Sequence, residues 1–345
     1  LNVSVTKKTK RLTWTTGIIL ALLVVLMIPA PYYLYQPGDV EPLAPVITVE
    51  NGHKSEKGNF YLTTVSTIKT SHLYYLIYGW FAPNTQIRKE KSVSGNLTED
   101  EYDFLLKHMM TTSQQNAVTA GLRMAGEVVP VQNKGIFVTN VLPASTAKGK
   151  IAVGDIITEI DGKPMKKSEE VIAYLSAKRA GDQVDIVFFH EGNRKQMTFG
   201  LSVINDQGKV GLGIQPEDEY VIYPPRQVKI DTREIGGPSA GLMFSLEILN
   251  QMVPEDLTKG YQIAGTGTID QDGNVGQIGG IRDKIVAAHE GKVDIFFCPA
   301  DVQPNDDNTK DIMDEAKKRN YKIKIVPVRN MKDALDYLNT LPPKT

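Results

Sequence analysis

Apolar and polar positions divide the chain into stretches of different texture. Residues 12–38 carry no charge, and their centre, Gly17–Ile28, is almost purely aliphatic. A run of that length predicts a bilayer-crossing helix over residues 12–35, with Trp14 and Tyr32, Tyr33 and Tyr35 at the two interfaces. Lys7, Lys8, Lys10 and Arg11 precede it, and Asp39 and Glu41 follow. The positive-inside rule then makes residues 1–11 cytoplasmic and everything beyond the span extracellular, on a single-pass protein of the cell membrane. Pro29-Ala30-Pro31 is a poor cleavage site, and the apolar run is long for a signal peptide, so an uncleaved anchor is the expectation. Pro37, Gly38, Pro42 and Pro45 predict a stiff spacer over 36–45.

From residue 46 onward the pattern is that of a folded chain. Residues 46–49 and 60–65 read as strands, and 71–82 as an amphipathic helix too short and polar for a second span. Thr98 with Glu101 forms a capping-box pattern ahead of a helix through Leu105, Leu106, Met109 and Met110. Residues 135–141, a strand around 153–163, 182–189 and 196–202 surround a short helix over 169–177, with Val171, Ile172 and Leu175 on one face. Beyond residue 206, strands at 228–231, 261–264, 293–297 and 323–328 alternate with helices over 282–289, 310–319 and 331–338. That alternation predicts an α+β or α/β domain.

Composition removes several classes of function. The formal net charge of −1 gives no field that would draw nucleic acid. Cys298 is the single cysteine, so neither an intrachain disulfide nor a cysteine-rich zinc site can form. It lies in an apolar strand pattern and reads as a small core residue. His53, His72, His108, His190 and His289 form no triad or metal-ligand pair, and neither metal nor cofactor is expected.

The chemistry gathers at Gly236-Gly-Pro-Ser239-Ala-Gly241, where a glycine-rich turn runs into an apolar helical pattern through Leu242, Met243, Leu246 and Leu249. A hydroxyl at a helix entry is either a cap or a nucleophile whose oxyanion meets the unpaired amides. Lys284 shifts the balance towards the nucleophile. It follows Gly279-Gly280 and opens a helix, where burial and the positive helix end would lower its pKa and make it a base. Pro238 has no N–H, so the expected oxyanion donors are backbone amides such as those of Gly237 and Ser239.

Two resemblances follow from these motifs. The strand Gly135-Ile-Phe-Val, the loop Leu142-Pro-Ala-Ser, the turn Val153-Gly-Asp155 and Ile160-Asp-Gly162 are similar to a PDZ domain over residues 120–205. Such domains add an extended peptide to a sheet edge, which this reading puts at about 121–129. Gly236–Gly241 and Thr266–Lys284 resemble the nucleophile and lysine segments of Lon proteases. That resemblance implies a Ser239–Lys284 dyad, with Thr266 orienting the lysine; Thr268 stands where Lon usually has glutamate. Weaker similarity at Gly58–Thr64 and Met110–Ala117 implies that the PDZ-like module is inserted in the Lon-like domain, whose parts are 46–119 and 206–345. The layout resembles membrane-anchored, PDZ-containing Lon-like serine proteases of Gram-positive bacteria. No Gly-x-x-x-x-Gly-Lys-Ser/Thr loop occurs. The expected function is ATP-independent extracytoplasmic endopeptidase cleavage of exported peptides or proteins, recruited by the PDZ module, with a homo-oligomer as a further expectation by analogy. The alternative is a non-catalytic membrane-anchored PDZ adaptor.

Overall fold

The computed structural model describes residues 7–54, 57–232 and 235–344, without the side chains of 7–10 and 13. Of the expected cytoplasmic segment, residues 1–6 lie outside the described residues. In chain order the first part comprises α1 (Lys7–Leu26), β1 (Pro29–Pro42), β2 (Ile47–Val49), β3 (Asn59–His72), α2 (Leu73–Phe81), β4 (Gln86–Lys89), α3 (Glu90–Val93) and α4 (Glu99–Met124). A middle part follows: β5 (Val131–Val141), β6 (Ile156–Ile160), β7 (Lys163–Pro164), α5 (Ser168–Ser176), β8 (Gln183–His190), β9 (Asn193–Gly200), β10 (Ser202–Val203), β11 (Val210–Gly211) and β12 (Ile214–Ile222). The last part is β13 (Val228–Ile230), α6 (Gly241–Met252), β14 (Gln262–Gly265), β15 (Thr268–Ile269), β16 (Val275–Gly276), α7 (Ile281–Glu290), β17 (Ile295–Pro299), α8 (Asn308–Arg319), β18 (Lys324–Val328) and α9 (Met331–Thr340).

The crossing expected over 12–35 is not found. Among the described residues no helix is long and apolar enough to cross a membrane. Helix α1 stops at Leu26, because Pro29 and Pro31 lack amide donors and clash with a preceding turn. Tyr32–Tyr35 then pair with β3 on one side and β4 on the other, Tyr33 opposite both Lys69 and Arg88. The spacer expected over 36–45 is also strand as far as Pro42. A register shift between Pro37 and Val40 takes up the proline, and β4 no longer flanks β1 there.

The first and last parts form one mixed sheet in the order β18-β17-β14-β3-β1-β4. Strands β18, β17, β14 and β3 are parallel, and β1 turns antiparallel against β3. Parallel neighbours need crossovers: α7 links β14 to β17 and α8 links β17 to β18, while the path from β3 to β14 runs through α4, the middle part and α6. Both faces are covered, as the alternation along β17 shows. Ile295 and Phe297 join a core with α4, α6 and α9, while Phe296 and Cys298 join one with α7 and α8. Cys298 is fully buried, and burial pushes its thiol up to about 12, so it is a packing residue. Helix α4 starts on the expected capping box, with the Thr98 hydroxyl accepting from Glu101 N–H.

The middle part has its own sheet, β12-β5-β6-β8-β9, and its own core around Ile136, Phe188 and Phe199. Its edge strand differs from expectation. Residues 121–124 complete helix α4, and the edge is β12, paired with β5. Acidic Glu217-Asp218-Glu219 hides the apolar alternation of this strand from a sequence reading. The mean of the whole is a mixed α+β architecture.

Candidate active site

The Ser239 turn is built by glycine and held from two sides. Gly237 sits at φ 86°, a left-handed conformation that favours glycine. Helix α4 provides one clamp: Leu106 C=O accepts from Gly237 N–H at 3.1 Å, and Ser113 Oγ donates to Pro238 C=O at 3.0 Å. The segment after β14 provides the other. Thr266 Oγ1 and Gly267 N–H both donate to Ser239 C=O, at 2.9 and 2.8 Å. Helix α6 then begins at Gly241 with Ala240 as N-cap and no side-chain cap, so the Ser239 hydroxyl is not spent on capping.

That hydroxyl meets Lys284. The lysine lies in the first turn of α7, after Gly280 in the left-handed region at φ 74°. Its side chain runs inward and is 4% exposed. Its Nζ donates to Ser239 Oγ at 3.0 Å and to Thr63 C=O, on β3, at 2.7 Å. Neither partner carries a charge, so burial is uncompensated, and it lowers the amine from 10.5 to about 8. At neutral pH a useful fraction of this amine is free base, one hydrogen bond from a hydroxyl.

The structure brings Ser239 and Lys284 together and redistributes the supporting roles. Thr266 is buried beside them, but its hydroxyl holds the serine backbone rather than the lysine. Gly237 N–H is occupied by Leu106, so it is not a spare donor for an oxyanion. Among the described residues, no carbonyl accepts from the N–H groups of Ser239 or Ala240, which leaves these two at the helix entry. Sequence reasoning missed Thr63 and Leu106, which act through backbone carbonyls and so give no side-chain signal. Ser113 did have one: a polar residue on the buried face of a helix.

Helix α4 also reaches the middle domain. His108 stacks on Phe137 of β5 with ring centres 3.6 Å apart, and burial lowers its imidazole. Tyr220 of β12 donates to Asn116. In the middle domain itself, Gly211-Leu-Gly213 leads into β12, with Gly213 at φ 75°. Helix α5 lies beside β12, and Asp218 Oδ1 accepts from Ser168 N–H at 2.6 Å.

Two family models match parts of the chain. Residues 232–340 match the model of the Lon protease (S16) C-terminal proteolytic domain, and residues 115–201 match the PDZ domain model. The Lon protease of Aster yellows witches'-broom phytoplasma (strain AYWB) is 33% identical over 97 residues, 28% of this chain and 11% of that protein. The Lon protease of Desulfosudis oleivorans (strain DSM 6200 / JCM 39069 / Hxd3) is 26% identical over 230 residues, 66% of this chain and 23% of that protein. The crystal structure of the PDZ domain of the SdrC-like protein from Listeria monocytogenes is 36% identical. It covers 25% of this chain and 92% of that one, with a TM-score of 0.25. The chain thus carries a Lon-type proteolytic domain and a PDZ domain, and it spans 11% and 23% of the two Lon proteases named.

Proposed function

We propose that this chain is a serine-type endopeptidase that cuts peptides or proteins with Ser239 as nucleophile and Lys284 as general base. The observation that carries the reading is the buried Lys284 amine, at about 8, standing 3.0 Å from Ser239 Oγ. The neutral amine takes the hydroxyl proton as Oγ attacks the scissile carbonyl. The oxyanion forms at the entry of α6, towards the N–H groups of Ser239 and Ala240. The ammonium, still held by Thr63 C=O, gives its proton to the leaving amine. Water then enters, the amine again acts as base, and the ester of Ser239 is hydrolysed.

The reading includes recruitment and place. The free edge of β12 beside α5 suits an extended peptide adding to the sheet, which would bring substrate to a domain that touches α4. The cycle above balances with water alone, so we infer that the bond-breaking step itself consumes no ATP. Helix α1 presents Trp14, Ile18, Leu22 and Val25 outward. We read it as a helix held in a bilayer, though it is not long and apolar enough to cross one.

The test uses the full chain and its Ser239→Ala and Lys284→Ala variants, given casein and a mixed peptide pool without ATP. Cleavage by the unaltered chain alone, with all three equally folded, is expected. Equal cleavage by the variants would remove the dyad. Binding of peptides without cleavage by any of the three would favour the adaptor role.

A further inference from the structure

Two stretches of the chain hold no Asp, Glu, Lys or Arg: residues 12–38 and 70–87. The fold brings them to one end of the molecule. Strands β1 and β3 pair so that Pro29 lies opposite His72 and Tyr32 opposite Thr70. Ile28 C=O, just after α1, accepts from the N–H of Leu73, the first residue of α2, at 2.9 Å, and the two helices touch. The end of the molecule that carries α1 therefore also carries α2.

Helix α2 faces the wrong way for a water-soluble surface. Only Gly79 is buried, and a side chain there would run into Leu34 of β1, so this helix lies close on the sheet. The opposite face presents Tyr74, Ile77, Tyr78 and Phe81, at i, i+3, i+4 and i+7. Phe81 and its neighbour Trp80 are each 82% exposed. This is an apolar, aromatic stripe turned outward, on a helix with no charged residue.

We propose that α2 is a second membrane contact, an interfacial helix whose Tyr74–Phe81 stripe and Trp80 enter the headgroup region of a phospholipid bilayer beside α1. The proposal rests on the membrane part of the function proposed above. Tyrosine and tryptophan rings favour the headgroup level, where the ring is apolar and its polar tip stays wet. A short helix with such a stripe lies in the plane of the interface. Continuity decides between lipid and a second copy of the chain. Pairing α2 with its own copy would still leave Ile18, Leu22 and Val25 of α1 in water, whereas one bilayer surface covers both helices. Two contacts also fix the orientation of the domain. From His72 back to Thr63, nine residues of β3 at ~3.3 Å each hold the proposed catalytic amine about 30 Å along the strand from the end that carries α2.

The chain has two tryptophans, Trp14 on α1 and Trp80 on α2, so each helix can report separately. Trp14→Phe and Trp80→Phe full-length chains are mixed with phosphatidylcholine–phosphatidylglycerol vesicles carrying bromine on the acyl chain near the headgroup. Both chains are expected to sediment with the vesicles. Trp80 emission is expected to shift to shorter wavelength and to be quenched at least twofold. A Trp80→Glu/Phe81→Glu chain is expected to bind vesicles at least tenfold more weakly while cleaving casein normally. If Trp14 is quenched and Trp80 is not, the inference about α2 fails and membrane attachment stands. If neither chain binds vesicles, the membrane reading fails, and α2 with it. A Trp80 shift without lipid, accompanied by a rise in sedimentation coefficient, would assign the stripe to a second copy and overturn the proposal.

Discussion

The lowered Lys284 amine makes a quantitative prediction for activity against pH. In water a lysine at 10.5 is neutral in only about one molecule in 3,000 at pH 7. At about 8, the fraction rises to about one in eleven, so burial supplies a ~300-fold gain in usable base. Its cost to the fold is about 3 kcal/mol, from a drop of some 2.5 units. With the unaltered chain and a fluorogenic peptide, kcat/KM should climb with unit slope from pH 6, bend near pH 8 and level off above pH 9. The ratio between pH 8 and pH 6 should be about 50. Stability gives an independent check. The folded pKa lies below the unfolded one, so between about 8 and 10.5 the unfolded chain binds the extra proton. The cost is full below pH 8 and is relieved as pH rises through that window. The Ser239→Ala chain, which cannot cut itself, should show the pH-dependent gain, and adding Lys284→Met should flatten it. A flat rate profile from pH 6 to 9 would refute the argument. So would activity in Lys284→Arg, whose guanidinium stays charged throughout.

Other expectations concern the supports of the site. Thr266→Val removes one of two donors to Ser239 C=O, and should lower kcat about tenfold with KM little changed, at about 1 kcal/mol of stability by denaturant titration. Gly237→Ala meets no atom within 4 Å, so its penalty is backbone strain alone, about 1–2 kcal/mol at φ 86°, read as a fall in the unfolding midpoint. Glu247, buried in α6, has its carboxyl raised to about 7 by burial. The folded state therefore binds the extra proton between about 4.5 and 7, and stability falls as pH rises through that range. Glu247→Gln should raise the melting temperature at pH 8 and leave it nearly unchanged at pH 4.

How much of this could be read from residues alone depended on where the information lay. Ser239 and Lys284 were legible as candidates because each follows a glycine pair that leads into a helix, and one glycine of each pair, Gly237 and Gly280, takes a left-handed conformation that ordinary residues rarely adopt. The helices α7, α8 and α9 and the parallel strands between them were legible from apolar periodicity. Residues 29–42 were not, because a proline-flanked tyrosine run suits a membrane border as well as a strand between β3 and β4, and only the partners decide. Strand β12 was hidden by Pro216 and three acidic residues. Thr63 and Leu106 could not be found by any pattern of side chains, since each contributes a backbone oxygen delivered by a distant element.

That distance has a consequence for how the protein comes into being. The amine of Lys284 bonds a carbonyl 221 positions earlier and a hydroxyl 45 positions earlier. A growing chain acquires its first strands, then a whole PDZ domain, then the serine, and only last the base. Even then the base is seated only after β14 has slotted beside β3. An unfinished or half-folded copy therefore holds a lysine in water, fully protonated and inert. On the proposed mechanism, cutting power would require β3 and β14 to be paired, and it would leave with the first large breach of the sheet.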